Sequence, residues 1–321
     1  MLARGFVGFA LLILVGTSGA ATKEQGPAPN GAVQLVRGSQ NHLLVPASVN
    51  GHPASFLLDT AERLTFLQAD RVTPFGVRNL GRQTHVGALW FSLGEIDRLG
   101  LGSISFSPVE VALYDSQFRG PVPGRGGKAA DGIIGLDLLR RHRAVINCRT
   151  QQLFLQTDNA SNLNLAPTTS GLGFTRIPIS EDPSGALTVP CSIGDKNGRL
   201  ALDTGAFVTI FNQASIRELN LKEDASKLTA RTAAGRVRPL ALGQINDLKI
   251  GGVPIAPQKF AVMDLFAAKK PARVFTGINR LEYYDMRTPR SKQDIFGLLG
   301  SELLYQRSAI IDLNSMSLFL K

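Results

Sequence analysis

The stretch Phe56-Leu57-Leu58-Asp59-Thr60-Ala61 decides the fold of this chain, because Leu200-Ala201-Leu202-Asp203-Thr204-Gly205 repeats its pattern 144 positions later. Each copy is a short apolar run that leads into an aspartate. An acidic side chain at the end of a buried apolar run is costly unless it is paired or used. Two such residues, one in each repeat, predict a site built from two carboxylates around a pseudo-twofold axis.

The repeat extends well beyond the two aspartates. Each copy is followed by two apolar residues and a glycine, Ile133-Ile134-Gly135 in one half and Leu298-Leu299-Gly300 in the other. These two glycines lie 165 positions apart, because the second copy carries an insertion at about 269–290. Other matching residues lie 148 or 149 positions apart: residues 84–87 with 232–235, Leu93-Gly94 with Leu242-Gly243, and Asp115 with Asp264. This register predicts a duplicated domain rather than a short solenoid repeat.

Both halves have a sequence pattern typical of β structure. Residues 43–49 and 187–193 are equivalent apolar segments, each followed by a turn and by a second strand that ends at the aspartate. The turns are Asn50-Gly51 in the first half and residues 194–198 in the second. A short helix is expected after each glycine motif, and further strands close each half. We predict an all-β chain with a first lobe at 32–156, a linker at 157–173 and a second lobe at 174–321.

The first 21 residues are typical of a secretory signal peptide. Arg4 precedes an apolar segment at 5–15, which is short for a membrane span, and small residues at 18–21 suit a cleavage site. An uncleaved anchor is the alternative. We expect an exported protein, periplasmic or secreted, without stable membrane insertion after the signal is removed.

The composition narrows the classes of partner. The net charge is +10, but the basic residues are scattered and are not interleaved with aromatic side chains as in a nucleic-acid surface. We therefore expect no nucleic-acid partner, and an acidic substrate or an anionic surface stays open. Zinc-binding motifs do not occur in the sequence, so we expect no metal and no other cofactor. The two cysteines, Cys148 and Cys191, form either a disulfide or two buried free thiols.

Two carboxylates held close together share one proton, because both cannot ionise cheaply. The ionised member can then deprotonate a water while the protonated member polarises a carbonyl. The motif Asp203-Thr204-Gly205-Ala206, with Leu298-Leu299-Gly300 and the segment around Gly235, resembles the retropepsin-like aspartic proteases. The resemblance covers most of residues 40–155 and 185–321. It implies two closed β-barrel lobes, here joined in one chain as a bilobal pseudo-dimer that acts as a monomer on an extended peptide or protein substrate.

The resemblance also implies roles for individual residues. The catalytic pair is Asp59 and Asp203. Thr60 and Thr204 are expected to brace the two loops across the axis. The remaining residues implied by the family are Ala61, Gly205 and Ala206 as loop support, Gly87 and Gly235 as flap residues over the substrate, and Gly135 and Gly300 as packing behind the loops.

The first copy departs from the family pattern. Ala61 replaces the usual glycine, and Glu62-Arg63 follows where small residues are expected. Glu62 is expected either to perturb Asp59 or to face solvent. Two other functions therefore stay open. One is an inactive peptide-binding protein, and the other is a chain whose two barrels each pair with another chain.

Overall fold

The computed structural model describes residues 32–38, 41–86, 89–115, 121–126, 128–156, 165–231, 237–265 and 295–321, and the backbone of short strands at 13–14, 273–276 and 279–282. Almost all regular structure there is β, which confirms the expected all-β fold with two barrel-like lobes. None of the helices in these ranges is both long and apolar enough to cross a membrane. The helices are α1 (Leu136–Arg141), α2 (Ala166–Gly171), α3 (Gln213–Glu218), α4 (Ser301–Gln306) and a 3₁₀ helix at Ala69–Arg71.

The first lobe is a curled ten-stranded sheet. Its strands are β3 (Val36–Arg37), β4 (Leu43–Val49), β5 (His52–Leu58), β6 (Phe66–Gln68), β7 (Arg78–Val86), β8 (Leu89–Ile96), β9 (Leu99–Leu101), β10 (Ile104–Phe106), β11 (Val109–Tyr114) and β12 (Gly132–Ile134). The order is β10-β9-β4-β5-β12-β6-β11-β8-β7, with β3 beside β4. Strand β12 runs parallel to β5 and antiparallel to β6, so the glycine motif lies directly beside the strand that ends at Asp59.

The second lobe repeats this arrangement. Its strands are β1 (Ile13–Leu14), β16 (Ser180–Glu181), β17 (Leu187–Ile193), β18 (Lys196–Leu202), β19 (Ile210–Asn212), β20 (Glu223–Arg231), β21 (Val237–Ile245), β22 (Leu248–Ile250), β23 (Val253–Pro254), β24 (Gln258–Met263) and β27 (Ile295–Leu299). The order β17-β18-β27-β19-β24-β21-β20 matches β4-β5-β12-β6-β11-β8-β7 strand for strand. Strand β27 is parallel to β18 and antiparallel to β19, as β12 is to β5 and β6. The sequence repeat is therefore a repeat of topology.

A third sheet joins the two halves. Its strands are β2 (Ala32–Gln34), β13 (Val145–Asn147), β14 (Gln152–Phe154), β15 (Thr175–Pro178), β28 (Ile310–Asp312) and β29 (Ser317–Leu320), in the order β15-β29-β28-β13-β14-β2. At its centre β13 pairs antiparallel with β28, which places Ile146 opposite Ile311. The two halves of the chain thus pair with each other. This pairing contradicts the alternative in which each barrel pairs with another chain.

Most elements follow the sequence prediction, with two differences. The turn in the second lobe is tighter than expected, because β18 already begins at Lys196, and Gly194 adopts a positive φ of 57°. Helix α2 lies inside the segment predicted as a linker. The predicted insertion contains a two-stranded hairpin of β25 (Arg273–Thr276) and β26 (Asn279–Glu282).

The buried side chains also follow the repeat. One large apolar cluster extends through both lobes, and each lobe has a smaller second cluster. Equivalent positions in these smaller clusters carry side chains of different size: Leu57 and Ala201, Phe66 and Ile210, Tyr114 and Met263, and Ile133 and Leu298. The duplication has kept the positions of the core while the volumes of the individual side chains changed.

Candidate active site

The two aspartates occupy equivalent places at the ends of equivalent strands. Asp59 follows β5 directly, and Asp203 follows β18. The backbone N–H of Asp59 donates to the carbonyl of Ile134 at 3.1 Å, and that of Asp203 donates to the carbonyl of Leu299 at 3.1 Å. Both aspartates are completely buried. The strand pairs β5–β12 and β18–β27 therefore fix both loops in the same way.

Thr60 and Thr204 join the two loops across the axis. The N–H of Thr60 donates to Oγ1 of Thr204 at 3.0 Å, and the N–H of Thr204 donates to Oγ1 of Thr60 at 3.1 Å. Each hydroxyl in turn donates to a backbone carbonyl of the opposite lobe, Leu202 at 2.9 Å and Leu58 at 2.8 Å. All four bonds are buried, so they hold the loops in one relative position.

One oxygen of each carboxylate is held by its own loop. Oδ1 of Asp59 accepts from the N–H groups of Ala61 at 2.8 Å and Glu62 at 3.3 Å, and Oδ1 of Asp203 accepts from the N–H of Ala206 at 2.7 Å. The other oxygen of each, Oδ2, is buried and has no hydrogen-bond donor within the ranges that the structure describes. Those two oxygens are the acceptors available to a reacting group.

Gly205 brings the second loop against the first carboxylate. A side chain at this position would collide with the carboxylate of Asp59, since its Cβ would lie 2.8 Å from Oδ1 and closer still to Oδ2. Only glycine allows this approach. The equivalent residue in the first loop, Ala61, does carry a Cβ. The two loops therefore differ at this position: glycine lies against the carboxylate of Asp59 in one, and the other has alanine.

Burial and nearby negative charge disfavour the ionised form of both aspartates. The pKa of Asp59 is raised well above its usual value by burial first, then by the charges of Asp203 and Glu62, against hydrogen bonds from its own loop. The pKa of Asp203 is also raised, mainly by burial, with a smaller contribution from Glu62. A pair in this environment retains a proton to higher pH than two exposed aspartates do.

Gly135 and Gly300 lie where each glycine motif passes behind its aspartate loop. A side chain at Gly135 would collide with the carbonyl of Leu64, and one at Gly300 would collide with the carbonyl of Val208. The two glycines are also the residues just before α1 and α4. Their small size lets each helix begin directly behind a loop.

A polar pair behind each loop was not predicted from the sequence. Thr65 donates to Asp137 through its hydroxyl at 2.7 Å and its N–H at 3.0 Å, and its hydroxyl accepts from the N–H of Gly135 at 3.2 Å. In the second lobe Thr209 donates from its N–H to Glu302 at 2.7 Å, and its hydroxyl accepts from the N–H of Gly300 at 3.0 Å. Burial raises the pKa of Glu302. The signal was present, because Thr65 and Thr209 keep the 144-residue offset of the aspartates.

Glu62 is buried, with only 2% of its surface exposed, so of its two expected alternatives the one in which it faces solvent is wrong. It occupies the position equivalent to Ala206, since both residues lie three after an aspartate. Its carbonyl accepts from the N–H of Leu136 at 2.8 Å, while the carbonyl of Ala206 accepts from Ser301 at 2.9 Å. The backbone is thus alike in the two loops and the side chains differ.

Two hairpins correspond to the predicted flaps. Strands β7 and β8 form the first, and β20 and β21 form the second. The residues predicted at their tips, Gly87 and Gly235, lie outside the described residues. In the first hairpin Trp90 is 55% exposed, and its ring centroid lies 5.1 Å from that of His85. The described strands therefore place an aromatic pair close to the tip of one hairpin.

The remaining candidate residues lie outside this site. Cys148 and Cys191 are buried free thiols, and burial raises the pKa of each to about 12. The disulfide alternative is therefore wrong. Within the described ranges, no group of three His, Cys, Asp or Glu side chains is placed to hold a metal ion.

The chain matches the family model described as aspartyl protease over residues 45–138 and 189–303. The two segments begin 144 positions apart and each contains one of the aspartates. Among solved structures, an aspartic proteinase from Irpex lacteus is 15% identical over 90% of this chain and 96% of its own, with a TM-score of 0.47. Basic 7S globulin from soybean is 11% identical over 90% and 94% of the two chains, with a TM-score of 0.49. Because the family model matches more than half of the chain, this protein belongs to the aspartyl protease family.

Proposed function

We propose that this protein is an exported aspartic endopeptidase in which Asp59 and Asp203 activate a water molecule that attacks a peptide carbonyl. The observation that carries the proposal is the placement of the two buried carboxylates. Each keeps Oδ1 hydrogen-bonded to its own loop and Oδ2 free of protein donors in the described part of the chain. A pair of carboxyls held this way has the parts needed for general acid and base catalysis.

The chemistry needs one proton shared between the two carboxyls. The ionised member takes a proton from water, and the water oxygen attacks the peptide carbonyl carbon. The protonated member donates to the carbonyl oxygen as negative charge develops there. The pair then passes its proton to the leaving nitrogen as the carbon–nitrogen bond breaks. A hydroxyl of the tetrahedral diol returns a proton to the pair as the product carboxyl forms, so the pair is again singly protonated. The raised pKa values of Asp59 and Asp203 favour this singly protonated form over the doubly ionised one.

The substrate that we propose is a peptide or unfolded protein segment in extended conformation. Hairpins β7–β8 and β20–β21 stand in equivalent places in the two lobes, and an extended segment between them has backbone groups available to pair with hairpin backbone. Trp90 adds exposed apolar area near the tip of the first hairpin. The predicted signal peptide at 1–21 supports an activity outside the cytoplasm, in the periplasm or the medium.

The departures in the first loop favour a second candidate function. Ala61 and Glu62 replace the glycine and alanine of the second loop, and Glu62 adds a third buried carboxyl to the loop of Asp59. In this alternative the protein binds extended peptides between its hairpins without cleaving them.

Incubation of the purified protein with an unfolded protein substrate, followed by mass spectrometry of the products, separates the two functions. The proposal predicts internal cleavage by the wild type and none by Asp203→Asn with its fold intact by circular dichroism. Peptide binding by the wild type, with no new termini between acid and neutral pH, would support the inactive alternative and overturn the proposal.

A further inference from the structure

Glu62 breaks the pseudo-twofold symmetry of the site at one position. Asp59 and Asp203 are equivalent, Thr60 and Thr204 are equivalent, and the residues three after each aspartate are Glu62 and Ala206. Both of these residues are buried, with 2% and 0% of their surface exposed. One loop therefore carries a third buried carboxyl where the other carries a methyl group.

Backbone hydrogen bonds hold the main chain of Glu62 in place. The N–H of Glu62 donates to Oδ1 of Asp59, and its carbonyl accepts from Leu136 at the start of α1. The side chain thus leaves a loop that is tied at one end to the catalytic pair and at the other to a helix. The Glu62 backbone is therefore hydrogen-bonded both to the Asp59 carboxylate and to the first residue of α1.

Three other charged or titratable groups lie near the two loops. The guanidinium of Arg63 reaches the turn at Gly185 in the second lobe, and Arg63 itself is exposed. Asp137 on α1 accepts from Thr65. The ring of His42 lies 6.3 Å from that of Phe207, beside the second loop.

The charge of Glu62 contributes to raising the pKa of both Asp59 and Asp203. Like charges in a buried site oppose ionisation more strongly than they do in water, because solvent screening is reduced. When Glu62 is ionised, each proton of the pair leaves at higher pH than it would beside an alanine. A site with alanine at this position in both loops would lack this effect.

We propose that Glu62 is a positioning residue that sets the protonation of the Asp59–Asp203 pair and thereby moves the working range of the site towards neutral pH. The inference rests on the proposed function for its consequence in catalysis. Its electrostatic part concerns the carboxyls themselves and is measurable without turnover.

Two substitutions test the proposal through the pH profile of peptide cleavage. Glu62→Gln keeps the shape and removes the charge, and Glu62→Ala copies the second loop. Both are expected to move the acidic and the basic midpoints of the profile to lower pH, by about one unit for a neighbouring buried charge. The control is Glu110→Gln, which removes an exposed carboxylate paired with Arg82 on the first sheet and leaves both midpoints in place.

A titration of the aspartate carboxyl carbons by ¹³C NMR, in the wild type and Glu62→Gln, is the second readout. Midpoints of Asp59 and Asp203 that fall in the variant support the proposal. Midpoints that stay in place or rise overturn it, whether or not the protein cleaves peptides. If the wild type cleaves nothing, the proposed function fails and this titration alone decides the role of Glu62.

Discussion

Thr60 and Thr204 each donate a backbone N–H to the hydroxyl of the other, at 3.0 and 3.1 Å, across the boundary between the two lobes. Neither hydroxyl is solvent-exposed, and each also donates to a carbonyl of the opposite lobe. The four bonds form one closed network. Removing one hydroxyl therefore leaves a buried N–H and a buried carbonyl without their partners.

We expect Thr60→Val to destabilise the chain by about 2–4 kcal/mol, because valine keeps the volume and deletes both bonds of the hydroxyl. Thr60→Ser keeps the hydroxyl and is the matched control. Urea unfolding followed by circular dichroism measures the difference. Equal unfolding midpoints for the valine and serine variants would show that the network contributes little to the pairing of the lobes.

Gly205→Ala and Ala61→Gly form a matched pair at equivalent positions. The added methyl group at Gly205 meets the Asp59 carboxylate, so we expect a loss of peptide cleavage of about 10²-fold or more through displacement of that carboxylate. Ala61→Gly removes a methyl group and is expected to leave cleavage within a few-fold of the wild type. The measurement is kcat/KM on one peptide. An active Gly205→Ala enzyme would contradict the close approach of the two loops.

Thr209→Val removes the hydroxyl that accepts from the N–H of Gly300 at 3.0 Å and leaves Glu302 with one donor fewer. We expect a cost of about 1–3 kcal/mol in the free energy of unfolding, because a buried N–H loses its acceptor. Thr65→Val is the equivalent change in the first lobe. Chemical denaturation of both variants checks the prediction, and wild-type stability in both would show that these pairs are not needed behind the loops.

The raised pKa values of Asp59 and Asp203 predict how stability depends on pH. A carboxyl whose pKa is higher in the folded chain stabilises the fold fully below its unfolded pKa, about 3.9, and loses that contribution as pH rises through the folded value. The double variant Asp59→Asn with Asp203→Asn lacks these charges. We expect it to melt above the wild type at about pH 8, with the gap narrowing at about pH 4. Thermal melts across pH check this prediction. A difference in melting temperature that widens in acid would contradict it.

Cleavage should follow a bell-shaped pH profile, because the pair works only when one carboxyl is ionised and the other is protonated. Two aspartate carboxyls that share one proton commonly titrate at roughly pH 2 to 5. Burial and the charge of Glu62 raise both values here, so we expect the optimum above that range. Initial rates across pH provide the measurement. A rate that keeps climbing into alkaline pH would point to a different reaction.

The repeat made much of this site predictable from the sequence. Asp59 and Asp203 each follow a short apolar run, and the two runs lie at a fixed offset. The strands could therefore be inferred from the local pattern, and the pairing of the aspartates from the repeat. The tighter turn before Lys196 and the helix within the predicted linker depend on details of turn chemistry and packing that the pattern does not specify. The predicted roles of Gly87 and Gly235 stay predictions, since both lie outside the described residues.

Other features depend on contacts between distant parts of the chain. The β13–β28 pairing joins segments 165 positions apart, and nothing in either short strand specifies its partner. Glu62 is buried because neighbouring elements cover its loop. Residue type alone predicts the opposite, since glutamate is rarely buried. The Thr65–Asp137 and Thr209–Glu302 pairs consist of residue types that are common on protein surfaces. In the sequence, only the repeat offsets of 144 and 165 positions distinguish them from other such residues.

The most direct test of the account is the rate of peptide cleavage by Asp59→Asn, because Asp59 belongs to the loop that departs most from its counterpart. The asparagine keeps the size of the side chain and cannot share the proton of the pair. We expect kcat to fall by about 10²- to 10⁴-fold, the contribution of a positioned acid or base, with unchanged circular dichroism. Wild-type activity in this folded variant would contradict a two-carboxylate site and leave Asp203 to act without its partner.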